Sequence, residues 1–238
     1  MRATRQEGDL KSGDRARSKS SLTRTGVLDA AVAIADGEGL DALSIRAIAS
    51  RLDISHMSVY RFVSSKDELL DLVAIHIMDL FELPQVFETD WKERIVHVMS
   101  VWRDLLVAHP SAVQILAYRR VSAGSDGLAR LMENVLANLK SADIVGVPAV
   151  RAFWEIFTLT FGNTVFELPR STTGDADDMA AARSLREVAE TRGFEIVKDL
   201  AEPLTMLDTR ASLEDSIRVL LDGIALTSIR QRGLVPPG

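Results

Sequence analysis

The chain has 238 residues, 47% of them apolar and none of them cysteine. That supports a sizeable core and excludes disulfides, Cys-ligated zinc and thiol nucleophiles. The net charge of −6 is unevenly spread: residues 1–66 carry 11 Lys and Arg against 8 Asp and Glu, the remainder 17 against 26, so a basic segment precedes an acidic body.

Residues 1–20, "MRATRQEGDLKSGDRARSKS", are polar and basic, and no apolar stretch follows that would make them a secretory signal. They read as a flexible arm, either a solvated tail or one that brushes DNA phosphates. No apolar run is long enough to cross a bilayer, so the expectation is a cytoplasmic protein without a membrane partner.

From Leu22 onward apolar residues recur at helical spacing. A first helix is predicted over 23–36, with Val27, Ala30, Ala31 and Ile34 on one face, stopping at Gly37 and Gly39. Ser44 stands where an N-cap belongs, ahead of "IRAIASRL", whose Ile45, Ile48, Ala49 and Leu52 form a stripe. Ser55 repeats the device before "HMSVYRFV", and only Leu52, Asp53 and Ile54 separate the two segments. So short a connection forces a sharp crossing, which is helix-turn-helix geometry.

A fourth helix is expected from Lys66 to before Pro84, and a fifth from an Asp90 cap to about His109, stopped by Pro110. "SAVQILAYRR" and a helix capped by Ser125 follow. A long apolar helix is predicted over 148–168, then a loop at "RSTTGDADD". Residues 179–204 read as helical, interrupted at Gly193 or Pro203, and Ser212 with Asp215 as a capping box for a last helix to about 230. The fold class is all-α, a helix-turn-helix three-helix module at 21–66 followed by a larger helical body at 67–238.

In the segment from Ser55 to Phe62, Val59 and Phe62 are three apart and can pack on Ile45, Ile48 and Leu52. His56, Met57, Ser58, Tyr60 and Arg61 then face outward. The major groove admits one α-helix, and its base edges offer donors, acceptors and a thymine methyl to such side chains. Arg46 lies near the start of the preceding helix, and Lys66 at the N-terminus of the next, where the helix dipole favours an anion. Duplex DNA is the partner this pattern suits, and two half-sites are needed for useful specificity, which implies a homodimer on a palindromic operator.

"LSIRAIASRLDISHMSVYRFVSSKDELL" resembles the DNA-binding signature of the TetR family of bacterial transcriptional regulators, carried here by Leu43, Ser44, Arg46, Ala49, Leu52, Ser55, Tyr60, Phe62, Lys66, Leu69 and Leu70. The turn usually holds Gly in that family, and this chain has Asp53. The resemblance implies that Tyr60 and Lys66 grip phosphates while Arg46, His56, Met57 and Arg61 face bases. "WKERIVHVMSVWRDLLVAHPSAVQILAYRR" and "FTLTFGNTVFE" are similar to the tetracycline-repressor branch. This implies an effector-binding body whose last long helices, 148–168 and 212–230, form a four-helix bundle with a partner subunit. In the latter helix Ile217, Leu220, Leu221, Ile224 and Leu226 are apolar and Gly223 allows close approach; completing the monomer's own core is the other reading.

Trp102, Tyr118, Phe153, Trp154, Phe157 and Phe161 are candidates to line an apolar cavity, with His97, Gln114 or Asn163 as polar anchors; each is equally a candidate for ordinary core packing. Where the resemblance places the family's magnesium ligand stands Leu116, so an apolar or aromatic small molecule is expected in place of a tetracycline–magnesium complex. No Gly-x-Ser-x-Gly, phosphate-cradling loop or His-Glu-x-x-His pair is present, and His56, His76, His97 and His109 lack metal-ligand spacing. Asp175, Asp177 and Asp178 read as a solvated face. Neither catalysis, a cofactor nor a metal is expected. The function that follows is a sequence-specific DNA-binding transcriptional regulator, expected to be a repressor released by an effector; the alternative is a helical adaptor binding protein through the Ser55–Phe62 segment, or a regulator without a small-molecule ligand.

Overall fold

The computed structural model describes residues 22–85, 87–88, 90–119, 124–168, 175–205 and 209–231; the N-terminal arm lies outside them. Among the described residues there are twelve helices and no strand. The chain divides into two compact units, Met1–Lys66 and Asp67–Gly238.

In the first unit α1 (Arg24–Glu38) starts where Thr23 accepts a hydrogen bond from the Gly26 N–H at 3.1 Å. It buries Val27, Leu28, Ala30, Ala31, Ile34 and Ala35, the expected face with two neighbours added. Ser44 caps α2 (Ile45–Arg51) by accepting from the Ala47 N–H at 3.1 Å. The end of α2 is closed by two backbone bonds, Ile54 N–H to Ala49 C=O at 3.0 Å and Asp53 N–H to Ser50 C=O at 3.3 Å. This is a Schellman motif, and it requires a left-handed residue at Asp53, whose φ is +52°. An aspartate tolerates that region better than most residues, so the turn survives without its usual glycine. The body repeats the solution: Asp143, at φ +58°, closes the helix Asp126–Ser141 with Ile144 N–H on Leu139 C=O at 3.0 Å.

Helix α3 (His56–Tyr60) is shorter than the expected eight residues. Phe62 N–H turns back to Val59 C=O at 2.9 Å, an i→i+3 bond that tightens the chain and changes which side chain points inward. Val63 is therefore buried beside Val59, while Phe62, expected in the core, is half-buried with the Arg61 guanidinium over its ring at 5.9 Å. The next helix, α4 (Lys66–Asp79), ends five residues short of Pro84.

The second unit is built around α5 (Trp91–Ala108), α6 (Pro110–Tyr118), α7 (Asp126–Ser141), α8 (Val147–Glu167) and α12 (Thr209–Gln231), with α5 against α6, α7, α8 and α12. Trp102 of α5 is fully buried and meets Phe81 edge-on at 5.3 Å. Ion pairs fix the packing around it. The buried Arg103 guanidinium reaches Glu167 of α8 and Asp104, and Arg210 of α12 reaches Asp104 at 3.1 Å. Arg218 of α12 pairs with Glu93 of α5 at 2.9 Å.

The C-terminal end of α4 is locked to the start of α7. Asp79 Oδ1 accepts from the Ser125 hydroxyl at 2.8 Å and the Gly127 N–H at 3.1 Å, while Arg130 donates to the carbonyls of Asp79 and Phe81. A Cβ on Gly127 would lie 1.8 Å from the Met78 carbonyl oxygen, so only glycine permits this approach.

Helices α9 (Asp175–Arg192), α10 (Glu195–Asp199) and α11 (Ala201–Thr205) pack on one another. The stretch expected to be broken at Gly193 or Pro203 breaks at Gly193, at φ +71°; Pro203 sits within α11, in a first turn whose N–H groups lack helical partners anyway. Two expectations need correction. Asp175, Asp177 and Asp178, read as loop, open α9, whose first turn suits carboxylates, and 169–174 fall outside the described residues. Ser212 and Asp215 do not cap the last helix, because α12 already starts at Thr209 and both lie inside it. No described helix is long and apolar enough to cross a membrane, and no group of three metal-binding side chains occurs among the described residues.

Candidate nucleic-acid interface

Helix α3 buries Val59, half-buries Ser58, which was expected to face outward, and leaves His56, Met57 and Tyr60 exposed. His56 and Arg61 are exposed, Met57 is 73% exposed and Tyr60 50%. A thioether so exposed to water offers a soft apolar contact, and Tyr60 beside it presents a hydroxyl. Ser55 accepts from the Ser58 N–H at 3.3 Å, and the two hydroxyls are 2.9 Å apart, so this pair serves the helix start first and reaches outward only through a remaining proton or lone pair. Ser44 is likewise committed as an acceptor to Ala47, with its O–H free to donate elsewhere. Arg46 on α2 and Lys66 on α4 are exposed. Arg51, on the same helix as Arg46, is paired with Glu38 at 3.3 Å.

Charge within the helices is balanced. Residues 22–66 hold Arg24, Arg46, Arg51, Arg61 and Lys66 against Asp29, Asp36, Glu38, Asp41 and Asp53. The basic excess of the segment therefore resides in residues 1–21, and attraction to an anion by residues 22–66 must come from placement. Placement does favour it: four of the five cations stand on or beside α2, α3 and the start of α4, and among the described residues Arg51 alone of those four has an ion-pair partner, Glu38 at 3.3 Å.

In the second unit the aromatic candidates form a ladder along α8. Phe153 and Phe157 stack at 5.8 Å, Phe157 and Phe161 at 6.4 Å, and Trp154 meets Phe157 edge-on at 5.6 Å. Buried Trp102 joins from α5 at 6.2 Å from Phe157, and Asn163 is half-buried on α8. Other candidates lie apart from this ladder. Tyr118, 90% exposed, and Gln114 project from α6 into solvent, because the i, i+4 spacing that links them also places them together on its outer face. His97 faces a polar pocket of about 240 Å³ instead, its Nδ1 3.3 Å from Glu88 Oε1, with Glu93, Ser100, Glu214 and Arg218 around it. Bonded to backbone N–H groups and facing His97, the Glu88 carboxyl titrates below its ordinary range.

Two features escaped the sequence reading. The first is an open groove of about 1270 Å³ between α8 and α12, with Trp154, Leu159, Val219 and Leu220 among its walls and Arg151 and Asp215 at its margins. Its signal was present, since Val219 and Trp154 are apolar positions off the buried stripe of their helices. The second is Arg119, which caps the end of α6 and turns its guanidinium onto α4: Nε donates to Asp71 at 2.9 Å and Nη1 to Asp67 at 2.8 Å. Those carboxylates, Asp71 foremost, raise the proton affinity of Arg119 above its ordinary value.

Residues 27–73 match the family described as "Bacterial regulatory proteins, tetR family", and residues 83–227 match "Tetracyclin repressor-like, C-terminal domain". An HTH-type transcriptional regulator of Saccharopolyspora erythraea is 37% identical over 53% of this chain and 52% of its own length. The HTH-type transcriptional repressor DrrR1 of Streptomyces coeruleorubidus is 34% identical over 48% of this chain and 43% of its own. The chain thus spans about half the length of these curated relatives. ActR of Streptomyces coelicolor, a TetR family protein, is similar throughout: its apo structure superposes with a TM-score of 0.74 at 26% identity, covering 88% of this chain and 97% of ActR. With both family segments matched in order, one on the helix-turn-helix and one on the helical body, the chain belongs to the TetR family of bacterial regulatory proteins.

Proposed function

We propose that this chain is a homodimeric, sequence-specific DNA-binding transcriptional regulator, acting as a repressor that a small molecule releases from its operator. The observation that carries the reading is the open side of α3, where Met57 and Tyr60 stand half or more exposed beside His56 and Arg61. A helix of that diameter and chemistry suits the major groove, where a thioether meets a thymine methyl and a guanidinium meets guanine. In this reading residues 21–66 read the operator. Arg46, His56, Met57 and Arg61 contact bases, and Ser44, Ser55, Ser58, Tyr60 and Lys66 contact phosphates.

Residues 67–238 supply the dimer contact and the effector site. Two copies meet through α8 and α12, covering the groove between them, and so present two recognition helices to half-sites roughly 34–36 Å apart. The effector is an apolar or aromatic molecule held along the Trp102–Phe157–Phe161 side of α8 with Asn163 within reach. ActR, at 27% identity, has been seen in complex with (S)-DNPA and with actinorhodin, which supports a ligand-responsive body. The effector acts by population shift, favouring an arrangement whose recognition helices no longer fit one turn of DNA; a differential affinity of about 1–3 kcal/mol would be an ordinary coupling.

Selection of bound sequences from random duplex DNA with the full chain tests this. A two-fold symmetric sequence with spaced half-sites is expected. Recovery of no preferred sequence, together with binding that ignores salt, would instead indicate a helical adaptor that binds protein through α3.

A further inference from the structure

Arg61 and Phe62 follow α3 directly, at the point where the chain tightens. Phe62 N–H bonds Val59 C=O at 2.9 Å, and Val63, 1% exposed, takes the core position that periodicity would have given to Phe62. Phe62 is thereby released from the core. Its ring is half-buried, and the exposed Arg61 guanidinium lies over it, 5.9 Å from the centroid. That distance is within the range where the negative face of an aromatic ring attracts a cation.

Two arginines of this unit are held in different ways. Arg51, at the end of α2, donates to Glu38 at 3.3 Å, and a carboxylate that fixes a guanidinium also neutralises it and occupies its N–H groups. Phe62 offers Arg61 a ring face instead. The ring quadrupole restrains the cation but brings no opposing charge, so the charge and the N–H fork stay available to a partner. A long side chain loses rotamer freedom when it binds, and a guanidinium already restrained loses less.

We propose that Phe62 is a positioning residue for DNA recognition: its ring restrains the Arg61 guanidinium without neutralising it, and so sets the base pair that Arg61 reads. This role rests on the DNA-binding reading of α3 and deepens it, since it gives the recognition face a residue that acts through its neighbour. Restraint matters most where two N–H groups must meet guanine O6 and N7 together, because a bidentate contact fails when the fork is turned away.

The test is fluorescence anisotropy of the full chain on the selected duplex and on its single-base-pair variants. Phe62 is replaced by Leu, by Tyr and by phenylalanine carrying one, three or five ring fluorines, each with Arg61 present and with Arg61→Ala. Fluorines drain the negative face of the ring and nearly keep its shape, so packing is held while the attraction to a cation fades. Affinity for the selected duplex should fall stepwise with fluorine number, by about threefold at five fluorines, and Phe62→Leu should fall as far. Phe62→Tyr should stay near wild type. The weakened variants should relax discrimination at the base pair that Arg61→Ala relaxes, and with Arg61→Ala in place the Phe62 changes should add nothing. Thermal melts of each variant separate loss of fold from loss of binding. Affinity indifferent to fluorination, or a Phe62 effect of equal size with and without Arg61, overturns the proposal while leaving Arg61 as a base reader. An Arg61→Ala variant that binds and discriminates like the wild type removes the base-reading role itself, and this one with it.

Discussion

Two exposed helical faces of this protein differ in kind. On α3 the open side carries His56, Met57, Tyr60 and Arg61, a mixture of donors, acceptors and one soft apolar group. On α8 and α12 it carries Val147, Val150, Trp154, Val219 and Leu226, nearly all apolar. The first suits a surface of base edges and phosphates, the second a surface like itself. Exposure alone would have made both look like interaction sites; the chemistry of what is exposed is what assigns, in the function proposed above, one face to nucleic acid and the other to a second copy of the chain.

The largest effect that would sharpen this contrast lies in the core of the body. Trp102→Ala empties the centre of the body and should cost about 3–5 kcal/mol, read by denaturant or thermal unfolding. Because Trp102 also touches the ladder at Phe157, the same variant should lose effector response before it loses DNA binding at low temperature. Next is the proposed dimer face. Trp154→Glu places a charge in the α8–α12 groove and should weaken self-association by about 2–4 kcal/mol in sedimentation equilibrium, with operator affinity falling in parallel. If self-association is unchanged, the apolar face has another occupant.

On the recognition face, Met57→Ala and Arg61→Ala should each relax preference at particular base pairs by about 1–3 kcal/mol, measured by competition among single-base operator variants. Tyr60→Phe should instead weaken all sequences alike with the salt slope unchanged, because its hydroxyl carries no charge, whereas Lys66→Ala should reduce that slope by about one. A reversal of these two patterns would exchange the base-reading and phosphate roles within α3. The smallest expected effect is at the turn. Asp53→Gly relieves a left-handed backbone and should stabilise the chain by up to about 1 kcal/mol, whereas Asp53→Val, β-branched at φ +52°, should destabilise it. Chemical denaturation reports both.

The recognition module was legible because its signals are local. Ser44 and Ser55 cap the helices they precede, the Ile48–Ala49 stripe is buried, and the three-residue turn takes the one left-handed residue it requires. What the pattern missed there was a tightening by one hydrogen bond, which put Val63 inward in place of Phe62. The body was legible as helices and much less as a site. His97, Gln114, Tyr118 and the aromatic ladder are all periodic, but periodicity gives a face of one helix and not which neighbour that face meets. Arg119 illustrates the limit: its partners Asp67 and Asp71 are about fifty residues away, and no local pattern announces such a pairing. The start of α12 was misplaced for a related reason, since Ser212 and Asp215 have capping-box spacing inside a helix that begins earlier.

The central claim is that α3 enters duplex DNA. Amide hydrogen exchange of the full chain, with and without the selected duplex, tests it most directly. Added DNA should slow exchange in 44–66, most strongly at 55–62, and leave the exposed ends of α8 and α12 unchanged. Slowing elsewhere with α3 exchanging as in the free protein would contradict it.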